Sequence, residues 1–129
     1  MLKNNNIAVV LCGHGSSFNR YIQDFKKSHK IIEKKINASC YYCFIEKNEP
    51  NIENCLSFIK KKGVQRVYFF PFLLFNGGHF EQDIKIKIKE LSKSLKLKIK
   101  LIEKISLTED VRPVIEKKIS KIIIKKKTN

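Results

Sequence analysis

Apolar positions along this chain come in two kinds of block, short unbroken runs and stripes of helical period. Residues 7–12 (Ile-Ala-Val-Val-Leu-Cys) are apolar without interruption, as in a strand covered on both faces. After the glycine-rich break at residues 13–16, Phe18, Ile22, Phe25, His29, Ile32 and Ile36 recur every three or four positions, the spacing of one helix face. Residues 40–46 form a second apolar run. Pro50 then opens a helix with Ile52, Cys55, Leu56 and Ile59 on its inner face, and Gly63 closes it. Residues 66–70 make a third strand, stopped by Pro71. Phe80, Ile84, Ile88, Leu91 and Leu95 mark a helix over residues 80–96, although residues 84–88 also alternate with period two. Residues 97–103 alternate apolar residues with Lys, a pattern suited to a charged edge strand. Val111, Val114, Ile115, Ile119, Ile122 and Ile123 give a last helix with Pro113 in its first turn.

The order β-α-β-α-β-α-β-α predicts a mainly parallel four-stranded sheet between two helical layers, an α/β three-layer sandwich. With 129 residues and no linker or repeat, residues 1–124 are expected to form one domain and residues 125–129 a frayed basic tail. Ligands of such sheets bind beyond the carboxyl ends of the strands, so the loops after the first three strands are where chemistry is expected.

Those loops are unusual. The first is Gly13-His14-Gly15-Ser16-Ser17, in which two glycines permit a sharp turn that leaves a histidine exposed. Ser16 or Ser17 would serve as a helix cap. The second begins with Glu46 where the strand emerges. Glu49, beside the helix start, is accounted for by the helix dipole. The third ends Asn76-Gly77-Gly78-His79, with Asp83 one helical turn on, placed to orient His79. His29, on the apolar stripe of the first helix, reads as a half-buried structural residue. Two imidazoles and a carboxylate at one sheet edge suit a first-row transition ion held with a position left open.

Composition narrows the partners. A net charge of +15, from 27 Lys and Arg against 12 Asp and Glu, draws anions of any kind. Only Arg20, Arg66 and Arg112 are arginines, and no nucleic-acid recognition motif is present. No apolar run approaches a membrane span, and the amino-terminal residues do not read as a signal peptide. A cytoplasmic protein without nucleic-acid or membrane partners is expected. Cys12, Cys40, Cys43 and Cys55 then read as thiols. Cys40 and Cys43 lie in a strand, three residues apart, where they point to opposite faces.

In order and spacing, residues 11–16, 44–52, 63–67 and 70–79 with Asp83-Ile84 resemble the small sirohydrochlorin chelatases of the class II chelatase superfamily. The resemblance implies insertion of Co²⁺, Fe²⁺ or Ni²⁺, as substrate, into sirohydrochlorin or a related tetrapyrrole, with no permanent cofactor. It implies metal binding and catalysis at His14 and His79, with Glu46 as the acidic partner. Substrate contacts are expected at Gly13, Gly15, Ser16, Ser17, Phe75, Gly77 and Gly78. Chains of this length in that family are homodimers. Ser17 stands where the family usually has Arg, and Lys85 where it usually has Pro. A non-catalytic metal carrier of the same fold, or a basic nucleic-acid-binding module, is the alternative that the residues alone leave open.

Overall fold

A computed structural model describes residues 4–72, 78–102 and 110–128, with the side chains of residues 4, 5, 78–80 and 124–128 outside the description. The elements run β1 (Asn4–Gly13), α1 (Asn19–Lys35), β2 (Ala38–Phe44), α2 (Ile52–Lys61), β3 (Arg66–Pro71), α3 (Gly78–Ser94), β4 (Lys98–Leu101) and α4 (Arg112–Thr128). The sheet is wholly parallel, in the order β2-β1-β3-β4. The expected alternation is therefore present, and Lys98 and Lys100 lie on an edge strand.

Right-handed crossovers fix which helix covers which face. The step from β1 to β2 runs one way across the sheet, and the steps to β3 and β4 run the other way. α1 consequently covers one face, with Phe25 against Phe44 at a ring separation of 5.0 Å. α2 and α3 cover the other. There Ala8, Val10, Cys12, Cys43, Val67 and Phe69 meet Ile52, Cys55, Leu56, Ile59, Ile84 and Ile88 in one buried cluster. Burying a side chain such as Phe69 or Leu56 contributes about 2–3 kcal/mol, so this face carries most of the fold's stability. Ile86 is exposed while Ile84 and Ile88 are buried, so the helical period, and not the alternation, governs residues 84–88.

Three boundaries differ from the sequence expectation. α1 begins at Asn19 with Phe18 as its cap residue and no side-chain cap bond. Ser16 instead accepts the Phe18 N–H through Oγ at 3.1 Å. α2 is capped by Asn51, whose Oδ1 accepts the Asn54 N–H at 2.8 Å, and Glu49 accepts the Asn51 N–H. α4 continues through Thr128, past the point where a frayed tail was expected.

The larger departure concerns what α4 covers. Its apolar stripe was expected to pack inward, yet every residue from Arg112 to Ile123 is exposed. The α1 face of the sheet correspondingly keeps an apolar groove of about 470 Å³, lined by Val9, Leu11, Tyr68, Phe70 and Phe72 with Ile32 and Ile36 of α1. No described helix is long and apolar enough to cross a membrane.

The cysteines behave as small apolar residues. All four are free and buried. Cys12 and Cys43 are register partners on neighbouring strands. The adjoining Cys12 and Cys55 thiols, with burial, push the Cys43 thiol well above its ordinary range, which keeps it protonated and a poor metal ligand.

Candidate metal-handling site

The strand order reverses direction between β1 and β3, because the chain leaves β1 toward one edge of the sheet and β3 toward the other. Open parallel sheets bind ligands at such a switch point, outside the carboxyl ends. The loop after β1 there carries Gly13 to Ser17, and α3 opens after β3 with Gly78 and His79.

The β1 loop is built against the β2 loop by a short series of bonds. The Ile45 N–H donates to the Gly13 carbonyl at 2.9 Å, and the Glu46 N–H to the His14 carbonyl at 3.1 Å. Beyond them the Ser16 N–H donates to Asn48 Oδ1 at 2.7 Å, and the Gly15 N–H to the Tyr21 hydroxyl at 3.3 Å. The strand ladder thus continues past the strands and holds the two loops in register.

Both glycines have a steric reason. Gly13 lies under α1, where a Cβ would stand 2.6 Å from the Tyr21 hydroxyl and 2.7 Å from the Phe25 ring. Gly15 has φ +101°, and a Cβ there would run into the Glu46 carbonyl, so only glycine fits.

The product of this packing is a contact between side chains 32 residues apart. His14 Nε2 and Glu46 Oε1 lie 2.9 Å from each other. The two side chains are 39% and 46% exposed, and a pair so open to water contributes no more than about 1 kcal/mol to stability. Fold stability therefore does not require it, whereas an accessible imidazole beside a carboxylate can hold a cation or accept a proton. The backbone at Lys47 is left-handed, with φ 68°, and this exposed lysine stands between Glu46 and Asn48 at the lip of the site.

The remaining expected site residues are distributed as follows. Ser16 is half-buried and Ser17 exposed, both on the β1 loop. Gly78 and His79 are the first two residues of α3; the His79 side chain lies outside the described residues, as do Phe75 and Gly77. Asp83 is exposed one turn further along α3. Among the described residues no group of three or more His, Cys, Asp or Glu is arranged to hold a metal ion, so His14 and Glu46 form a two-residue site there.

His29 proves structural, as its place on the stripe suggested. Its Nε2 donates to the Cys40 carbonyl at 2.8 Å and its ring meets Tyr42 edge-on. Since a carbonyl only accepts, that nitrogen carries the hydrogen.

Three residues of the site were missed in the sequence. Asn48 and Tyr21 hold the β1 loop from outside it. Phe18, assigned above to the inner face of α1, is 76% exposed beside the loop. A lone Asn in a polar loop gave a weak signal for such a role, and nothing in the spacing of Tyr21 indicated that its hydroxyl returns to Gly15.

Fold and site together define an α/β protein that presents a histidine–carboxylate pair at the carboxyl edge of a parallel sheet. The profile of the CbiX family matches residues 8–122, and the chain belongs to that family. It is 26% identical over 115 residues to a sirohydrochlorin cobaltochelatase of Sulfurisphaera tokodaii, covering 89% of this chain and 92% of the relative. It is 27% identical over 124 residues to the enzyme of the same name from Sulfolobus acidocaldarius, covering 91% and 93%. Among solved structures, a CbiX protein of Marinobacter aquaeolei superposes with a TM-score of 0.74 at 24% identity, over 89% of this chain and 98% of that one. The sirohydrochlorin chelatase SirB of Bacillus subtilis in complex with cobalt gives 0.71 at 24% identity, over 78% of this chain and 44% of SirB.

Proposed function

We propose that this chain is a chelatase that inserts a divalent ion, Co²⁺, Fe²⁺ or Ni²⁺, into sirohydrochlorin or a closely related tetrapyrrole. The observation that carries the reading is the His14–Glu46 contact, at the ligand-binding edge of a CbiX-family fold. In this reading the protein is a cytoplasmic homodimer, the metal is substrate, and no permanent cofactor takes part.

Insertion exchanges two pyrrole N–H protons for one metal ion. The site must therefore hold the ion loosely and offer a base. Nitrogen and oxygen ligands bind such ions at about 2.0–2.2 Å, which puts two ligands at right angles roughly 2.8–3.1 Å apart. The observed 2.9 Å between His14 Nε2 and Glu46 Oε1 matches that spacing. Turning the two side chains toward one point would let a metal take the place of the hydrogen between them. Two protein donors of this kind leave positions open for the ring nitrogens. His79, the second residue of α3, is the second imidazole of this reading. Once the ion has moved into the ring, His14 and Glu46 are left to accept the displaced protons.

The macrocycle would lie over the backbone of Gly13, Gly15, Ser16, Ser17, Gly77 and Gly78, with Phe75 against it. Exposed Phe18 offers a further aromatic surface at the same lip. Ser17 supplies no charge where the family usually has Arg, so the ring carboxylates are met by lysines, Lys47 the nearest in sequence to Glu46.

The test is the rate of metal-dependent spectral conversion of anaerobic sirohydrochlorin with each ion, with and without protein. Conversion well above the spontaneous rate with at least one ion is expected. No acceleration with any ion refutes the enzyme and favours a carrier. In the same assay KM for the tetrapyrrole is expected to rise several-fold between low salt and about 0.5 M NaCl while kcat holds, because screening weakens attraction between exposed charges. A KM indifferent to salt would separate the +15 charge from substrate capture.

A further inference from the structure

The amino edge of the sheet, opposite the edge that carries His14, holds a cleft of about 690 Å³ beside the carboxyl ends of α2 and α3. Lys60, Arg66, Lys96 and Lys98 line it, and among the described residues its lining holds no Asp or Glu. Cations gathered at one cleft repel one another, so their grouping needs a reason. Part of the reason is structural. Lys60 and Lys96 stand at the ends of helices whose last carbonyls carry partial negative charge, and Lys60 Nζ donates to the Lys96 carbonyl at 3.1 Å. Lys98 lies on an edge strand, where a charge deters pairing with another sheet.

Those uses leave Arg66 unexplained. It stands on β3, an interior strand, and is the register partner of Lys98. Register partners on neighbouring strands share a sheet face, and both side chains are exposed, so two like charges stand side by side. Such a pair weakens the sheet that carries it. Arginine is also scarce here, at three of the 27 Lys and Arg, and its planar guanidinium offers paired N–H donors that match the oxygens of a phosphate. The turn into β4 again favours charge over backbone ease. Gly63 after α2 has φ 82°, whereas Lys96 after α3 takes the same left-handed backbone at φ 53°, where glycine is the ordinary residue. No atom lies within 4 Å of a Cβ added at Gly63, so the cleft stays open on that side.

We infer that this cleft binds a compact polyanion of the diphosphate class, which bridges Arg66 and Lys98 with Lys96 at the rim. An anion between Arg66 and Lys98 replaces their repulsion with two charge-assisted contacts. The compactness follows from the spacing of the cations. Neighbouring strands lie about 4.8 Å apart, so the positive charge is concentrated over one strand interval, and the ligand's negative charge has to be as concentrated. A tetrapyrrole spreads its carboxylates around a much wider ring and fits this cleft poorly. The site is also remote from the proposed chemistry. β1 runs from the Ile7–Arg66 pairing to Gly13, just before His14, a span of roughly 20 Å at the rise of a strand. The inference therefore goes beyond metal insertion, and its test needs neither metal nor tetrapyrrole.

The experiment titrates the metal-free protein with inorganic pyrophosphate at low salt in a calorimeter. Saturable binding at one pyrophosphate per chain is expected, weakened roughly 10-fold or more by Arg66→Gln with Lys98→Gln. Lys27→Gln with Lys30→Gln removes the same charge from exposed positions of α1 and is expected to bind as the unaltered chain does. Without ligand, the Arg66→Gln and Lys98→Gln chain should melt no lower than the unaltered one, because it loses a like-charge pair. With pyrophosphate, the unaltered chain and the α1 variant should gain melting temperature and the cleft variant should not. ADP then identifies the source of the diphosphate. Tighter binding than pyrophosphate names a nucleotide, binding no tighter names the free diphosphate, and both uphold the site. Four results overturn the inference. They are no saturable binding, equal weakening in both double variants, citrate bound as tightly as pyrophosphate, and a cleft variant that melts many degrees lower, which would give the cations a structural role.

Discussion

Replacing His14 by alanine is expected to reduce metal insertion by at least about 100-fold, with the far-ultraviolet circular dichroism and the melting temperature almost unchanged. The two halves of that expectation come from different numbers. His14 is half-exposed and its contact with Glu46 is open to water, so the fold loses about 1 kcal/mol or less. In the proposed mechanism the reaction would lose a metal donor and a proton acceptor together, and a positioned acid–base group alone is worth roughly 10²–10⁴ in rate. A steady-state rate and a thermal melt on the same preparation check both. A variant that melts many degrees lower would assign His14 to structure, and one that turns over normally would remove it from the mechanism.

The second large effect is expected at a residue with no chemistry of its own. Gly15→Ala should cost activity on a scale close to His14→Ala and also destabilise the fold, by about 1–3 kcal/mol. The new methyl group meets the Glu46 carbonyl, and φ +101° lies where L-residues are strained. Relief requires the β1 and β2 loops to part, which breaks the Glu46 N–H to His14 carbonyl bond and separates the side chains that it aligns. Gly63→Ala is the matched control. Its φ is +82°, but no atom lies within 4 Å of an added Cβ, so it should cost stability without touching turnover. Loss of activity in both variants to the same extent would mean that general destabilisation, and not the loop contact, is responsible.

Much of this molecule can be read from its sequence because its strands are covered by helices and its elements are punctuated by glycine and proline. The runs at residues 7–12 and 66–70 could only be covered strands, and the positions of Gly63 and Pro71 stopped their elements where the structure stops them. His14 was recognisable because a histidine between two glycines has no packing role. Glu46 stood out because Glu49, three residues on, already had one, and the structure bears this out with the bond from the Asn51 N–H to Glu49. What was illegible depended on distance in space. Asn48 and Tyr21 act through bonds to backbone N–H groups of another segment, which leave no periodicity behind. α4 misled for a related reason. Its stripe is real, but periodicity reports only that a helix face needs covering, and it cannot say which surface provides the cover.

The central claim is that the metal enters between His14 and Glu46. The most direct measurement is a titration of the protein alone with Co²⁺, followed by the visible absorption of the bound ion. The account predicts a new ligand-field band that saturates at one Co²⁺ per chain and disappears in both His14→Ala and Glu46→Gln. A band of the same intensity in the two variants would place the metal elsewhere and contradict it.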